Sequence, residues 1–357
     1  MTRSQDLTTR YVCRTDRRRW IAGALATIGV GSVAQAVRSA SDRMVEVRPV
    51  SQLPSEPATF EHLGYRIVAY PSKLESNAPV PIVFLFGGNG MGAVVRSVQA
   101  DQLAEDLSQR GIAAVVVNYP NLTHADDILS RIVTPMADLL NRPWAKRHRI
   151  DVTRVGAAGF SAGGLIATLL ATRYRNALPF EIRSALNYYG PVDLKQWFAF
   201  HDARVSAADF ESIAPVYQGN RGPGDIGRSA HGSIVCRDLS MSLSKKVNEN
   251  IGGKSDEKLD AFSEPRIFRA DPSFEVQHES NAKPRLVGAF GMLDDNCDAV
   301  FQPRLLERLG QLHGIEAKTF VYDGPHGVSW RACPKALDSF LEPLQDDAAS
   351  FGITRVS

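Results

Sequence analysis

A serine hydroxyl is a weak nucleophile and becomes useful only beside a base that a third group holds in place. Three points in this chain supply such a set. Gly159-Phe160-Ser161-Ala162-Gly163-Gly164 follows the apolar run 154–158 and precedes a helical stripe of Leu165, Ile166, Leu169 and Leu170. G-x-S-x-G between a strand and a helix predicts a tight, strained turn that holds Ser161 Oγ at the carboxyl end of a sheet. His326 lies in Tyr322-Asp323-Gly324-Pro325-His326-Gly327, directly after the last apolar run. Asp294 follows the run 286–291 and stands 32 residues before His326. The order Ser, acid, His selects His326 from eight histidines, among them His62, His124, His148 and His313. Asp294 is the preferred acid and Asp295 the next choice, while Asp193 reads as the N-cap of a helix beginning at Leu194.

A fourth element is Phe86-Gly87-Gly88-Asn89-Gly90-Met91-Gly92, after the apolar run 81–86. It fits neither the P-loop nor the dinucleotide-binding glycine pattern. Beside an activated serine, such a loop lets backbone N–H groups reach a substrate carbonyl. Donors from Gly88 or Asn89, with the Ala162 N–H, would stabilise a tetrahedral oxyanion by roughly 3 kcal/mol each. Asp294, Asn296 and Asp298 have the first three spacings of a calcium loop. Ala299 stands where that loop needs Gly, however, and Leu305 where it needs Glu, so no metal is expected.

The elements that must position these residues alternate. Apolar runs at 65–70, 81–86, 113–118, 154–159, 182–189, 285–290 and 317–322 predict strands, several continuous enough to be buried on both faces of a parallel sheet. Between them, Ile128, Ile132, Met136, Leu139 and Leu140 share one helical face, as do Phe301, Leu305, Leu309 and Leu312. The pattern predicts a doubly wound, mostly parallel α/β sheet with helices on both faces. It breaks between 190 and 284, where an aromatic cluster (Trp197, Phe198, Phe200, Phe210, Tyr217) marks an insertion of the cap or lid kind.

Composition excludes other classes. At 44% apolar and 22% charged the chain is neither disordered nor fibrous, and a net charge of +2 does not suit a general nucleic-acid binder. The charge is unevenly spread: residues 1–36 hold six basic and two acidic side chains, leaving 35 basic against 37 acidic in the other 321. The start reads as an export signal: a basic stretch, the uncharged run 20–33 and the small-x-small site Ala34-Gln35-Ala36. Arg17-Arg18 with Trp20-Ile21 resembles a twin-arginine signal. The expected location is therefore periplasmic or secreted, with membrane contact only if the signal stays uncleaved. The expected layout is a signal at 1–36, a linker at 37–59, core at 60–193, insertion at 194–283 and core again at 284–357.

Taken together, these motifs resemble the α/β-hydrolase superfamily, most closely its bacterial acetylesterase/lipase and dienelactone-hydrolase-like branches. The likeness covers roughly residues 60–345, insertion excepted, and includes Ile150-Asp151-Val152-Thr153-Arg154-Val155-Gly156 ahead of the elbow and Asp271-Pro272-Ser273. It departs at Phe86-Gly87-Gly88-Asn89, where many relatives read His-Gly-Gly-Gly, and at Ser161, where dienelactone hydrolases carry Cys. The resemblance implies hydrolysis of small or polymer-linked carboxylic esters by Ser161, His326 and Asp294, without a cofactor. An acyltransferase on the same residues and a non-catalytic binding protein are the alternatives. Cys297 lies three residues after Asp294 and Cys333 seven after His326, so a disulfide between them is expected to clamp the two loops, with Cys236 left over.

Overall fold

The computed structural model describes residues 45–49; 56–201 without 75–77 and 125–126; 245–263 without 254, 256–257 and 260–261; and 284–345 without 295, 298 and 300. Nine strands form one sheet: β1 (Val45–Pro49), β2 (Ala58–His62), β3 (Tyr65–Tyr70), β4 (Val80–Phe86), β5 (Ala113–Val117), β6 (Ile150–Phe160), β7 (Ile182–Tyr188), β8 (Arg285–Gly291) and β9 (Glu316–Tyr322). Their order across the sheet is β1-β2-β3-β5-β4-β6-β7-β8-β9. From β5 to β9 every pairing is parallel, and β1, β2 and β3 add an antiparallel edge.

The helices are α1 (Val98–Gln109), α2 (Thr134–Asn141), α3 (Pro143–Arg147), α4 (Ala162–Ala171), α5 (Leu194–His201), α6 (Phe301–His313) and α7 (Pro334–Gln345). Alternate residues of the central strands feed two cores. Ile82, Phe84, Phe86, Val115 and Val117 pack with α2, α4 and α6, whereas Val83, Leu85, Ala114 and Val116 pack with α1 and α7. Two-sided burial explains the continuous apolar runs. Each large side chain so buried contributes about 1.5–3 kcal/mol relative to exposure.

Two strands lie where the sequence reads as a linker. β1 and the first residues of β2 fall within 37–59, so the sheet begins before residue 60. The hairpin joining β2 to β3 turns on Leu63 and Gly64, both at positive φ (52° and 78°), a two-residue turn that usually announces itself with Asn-Gly or Asp-Gly. The stripe starting at Ile128 is helical, but its first six residues form a π-helix that passes into α2. The proposed signal, Cys236, His231, His278, Asp295, Phe210 and Tyr217 lie outside the described residues.

Candidate active site

The turn from β6 into α4 is held sterically. Ser161 has φ 52° and ψ −125°, a conformation that costs about 1–3 kcal/mol and persists only where its surroundings impose it. Ser161 N donates to Tyr188 O at 2.9 Å, and Gly164 N donates to Ser161 O at 2.8 Å. A Cβ on Gly159 would lie 2.0 Å from Gly163 O, and one on Gly163 would lie 2.3 Å from Phe86 O. Glycines therefore let strand, turn and helix close on one another. Ser161 occupies the N-cap position without using its side chain as a cap, so Oγ is free for other partners. Ala162 opens the helix, where N–H groups lack intrahelical acceptors and the macrodipole favours negative charge.

The structure brings the three predicted side chains together. His326 Nε2 lies 3.0 Å from Ser161 Oγ, and Nδ1 lies 2.9 Å from Asp294 Oδ2 and 3.1 Å from Oδ1. A carboxylate facing Nδ1 assigns the imidazole proton there, leaving Nε2 to accept from the serine hydroxyl. The Asp294 side chain is fully buried, and its Oδ1 also accepts from the Asn296 and Cys297 N–H groups, each at 2.8 Å. Four contacts thus hold the carboxylate at the end of β8. Other described histidines are engaged elsewhere: His62 Nε2 lies 3.3 Å from Ser130 O, and His148 packs on Trp144. Asp193 is the helix cap expected, its Oδ1 accepting from Gln196 N at 2.9 Å.

The glycine loop lies against the serine. A Cβ on Gly88 would fall 2.4 Å from both Ser161 Cβ and Phe160 O. Gly87 O accepts from the buried Tyr119 hydroxyl at 2.6 Å, and in a trans peptide this turns the Gly88 N–H the opposite way. The Asn89 side chain is committed elsewhere, Nδ2 donating to Ala93 O at 2.9 Å and Oδ1 accepting from Lys246 Nζ at 3.0 Å, so only its backbone N–H is left for a substrate. Asn250 Nδ2 donates to Gly90 O at 2.8 Å. Residues 245–250, a helical stretch of the insertion, are therefore built into this loop.

A cavity of about 30 Å³ opens beside Ser161 and His326, walled by Met91, Leu194, Trp197, Val247 and Cys297. Trp197 is fixed there by Nε1 donating to Asn296 O at 2.7 Å. A larger cleft, about 320 Å³, lies at the amino-terminal end of the sheet around Val152, Thr153, Phe180 and Glu181 and contains no nucleophile–base pair.

One expectation is overturned. Cys297 and Cys333 are buried free thiols, and no disulfide joins them. Cys297 packs in the core of the α4 and α6 face, whereas Cys333 packs with α7 on the other. Both lie near the site in sequence, but they belong to opposite sides of the sheet.

Motif reading also passes over Tyr189 and Gln99. Tyr189, at φ 42°, sets its ring edge-on to His326 with centroids 4.8 Å apart. Its hydroxyl donates to Gln99 Oε1, and burial pushes its pKa well above that of a free phenol, so it remains a donor. No motif announces either residue, because each acts through a contact distant in sequence.

No protein-family model matches the chain, and no curated protein does. Among solved structures it is similar to esterase B from Lactobacillus rhamnosis, at 15% identity and a TM-score of 0.53 over 94% of this chain and 97% of that one. It is also similar to a thermophilic esterase from the Planctomycetes species Thermogutta terrifontis, at 14% identity and a TM-score of 0.50 over 87% and 100%. An acylaminoacyl peptidase from Pyrococcus horikoshii matches at 14% identity and a TM-score of 0.49 over 81% of this chain, which spans 41% of that protein's length. At such identities the likeness is one of architecture: the chain has the α/β-hydrolase fold.

Proposed function

We propose that the protein is a serine hydrolase of carboxylic esters. The observation that carries this reading is the hydrogen-bonded line from Asp294 through His326 to Ser161, at 2.9 and 3.0 Å. In the proposed mechanism Ser161 Oγ attacks the ester carbonyl carbon as His326 Nε2 takes the hydroxyl proton. The carbonyl oxygen becomes an oxyanion facing the Ala162 N–H and the Gly88 and Asn89 N–H groups. The C–O bond to the alcohol then breaks, and His326 returns its proton to the leaving oxygen. Water, deprotonated by the same imidazole, attacks the acyl-enzyme and releases the acid and free Ser161. Asp294 holds the ring and stabilises the imidazolium without taking its proton.

The pocket beside Ser161 is walled mostly by apolar side chains, Met91, Leu194, Trp197 and Val247, which suits the acyl part of an ester. The basic, apolar and small-residue succession in residues 1–36 supports export to the periplasm or the medium.

The test is p-nitrophenyl acetate hydrolysis and fluorophosphonate labelling of the wild type and Ser161→Ala. The wild type is expected to turn over and label, and the variant to do neither. Unchanged turnover by Ser161→Ala overturns the reading.

A further inference from the structure

His326 follows Pro325 on the loop between β9 and α7. Gly324 and Gly327 flank it, and Gly327 has φ +84° with nothing within 4 Å of where a Cβ would stand. One half of the loop is tied to the acid side, where Leu293 N donates to Gly324 O at 3.0 Å. The other half is tied across the fold: Gln99 Nε2, in the first turn of α1, donates to Gly327 O at 2.6 Å and approaches Val328 O at 3.4 Å. The Gln99 amide is itself oriented, because the Tyr189 hydroxyl donates to its Oε1. Tyr189 is buried at the end of β7, and its ring rests against the imidazole. The ring therefore contacts the imidazole directly, and the amide holds the backbone that follows it, through hydrogen bonds that span 90 and 228 residues of the chain.

We propose that Gln99 and Tyr189 are positioning residues for His326, together holding its imidazole in line between Ser161 and Asp294. This rests on the reading of His326 as the proton carrier of the reaction. Neither residue makes or breaks a bond or carries the transferred proton. Their effect is on how closely Nε2 tracks the serine hydroxyl and then the leaving oxygen, where a displacement of about 1 Å can cost up to a hundredfold. Leaving groups differ in how much they depend on that second transfer. An alkoxide needs the proton from His326, whereas nitrophenolate departs as a stable anion.

The test compares wild type, Gln99→Met, Tyr189→Phe and Ser161→Ala on ethyl acetate and p-nitrophenyl acetate. Gln99→Met keeps side-chain length and removes both hydrogen bonds, while Tyr189→Phe keeps the ring and removes only the hydroxyl. For Gln99→Met, kcat/KM is expected to fall about tenfold on ethyl acetate but only about two- to threefold on p-nitrophenyl acetate, with KM within twofold on each. Tyr189→Phe should show the same ordering with smaller losses, and it carries the test alone if Gln99→Met does not fold. Equal losses on both esters, or a rise in KM that accounts for the fall, overturn the inference. So do variants as active as wild type while Ser161→Ala is inactive, an outcome that leaves the hydrolase reading standing. Activity retained by Ser161→Ala overturns both.

Discussion

The elbow and the histidine loop face each other across 3.0 Å and are built on different principles. At the elbow, neighbouring residues settle the geometry. Gly159, Gly163 and the strand β4 backbone approach so closely that only one path is open, and Ser161 takes the strained conformation that path requires. At the histidine loop almost nothing local decides. Gly327 is open, and the loop is held by hydrogen bonds from Gln99 of α1 and from Leu293 after β8, with Tyr189 orienting the Gln99 amide. The nucleophile is thus placed mainly by close steric contact, within the elbow and against the end of β4, and the base mainly by hydrogen bonds from remote elements. A steric constraint fails abruptly when violated. A hydrogen-bonded one loosens by degrees.

The largest expected effect tests the hydrogen-bonded side. Asp294→Asn keeps the shape of the acid but supplies a donor where His326 Nδ1–H needs an acceptor, and kcat should fall about 10⁴-fold with the fold intact. A loss under tenfold would mean that the remaining contacts suffice to hold the ring. Next comes Gly159→Ala, whose methyl group meets backbone at 2.0 Å; unfolding free energy should drop by about 3 kcal/mol or more in chemical denaturation. Near-wild-type stability would show that the elbow yields more readily than its close contacts imply. Trp197→Ala removes the cavity wall anchored to Asn296, and the hexanoate-to-acetate ratio of kcat/KM should rise about tenfold. An unchanged ratio would move the acyl chain elsewhere. The smallest effect is expected for Gly327→Ala, which meets no neighbour and carries only the cost of positive φ, about 1 kcal/mol. A loss matching that of Gly159→Ala would erase the distinction between the two regions.

The same contrast explains what was legible beforehand. Ser161, its glycines and their strand–helix setting are contiguous, and short-range geometry has short-range signatures. The central strands were readable because burial on both faces leaves an unbroken apolar run, as in β4 and β5, while β3 and β9 showed as β-rich runs although they are only partly buried. β1 and β2 were not, since Val45–Pro49 and Ala58–His62 hold no such run and the β2–β3 hairpin turns on Leu63-Gly64. His326 and Asp294 could be found through chain order. Gln99, Tyr189 and Asn250 could not, because a side chain that acts through a hydrogen bond 90 or more residues away leaves no spacing to read. The cysteines show the limit from the other direction. Position along the chain puts both beside the site, but only the sheet decides which face each one joins.

That separation bears on how the protein can be made. With Cys297 and Cys333 held as thiols in two apolar cores, the described fold assembles without a covalent tie between its acid and base loops. Bringing the acid and base loops together therefore asks for no oxidation of these two cysteines. The alignment of Ser161, His326 and Asp294 is then held by packing and hydrogen bonds, without a covalent link between Cys297 and Cys333.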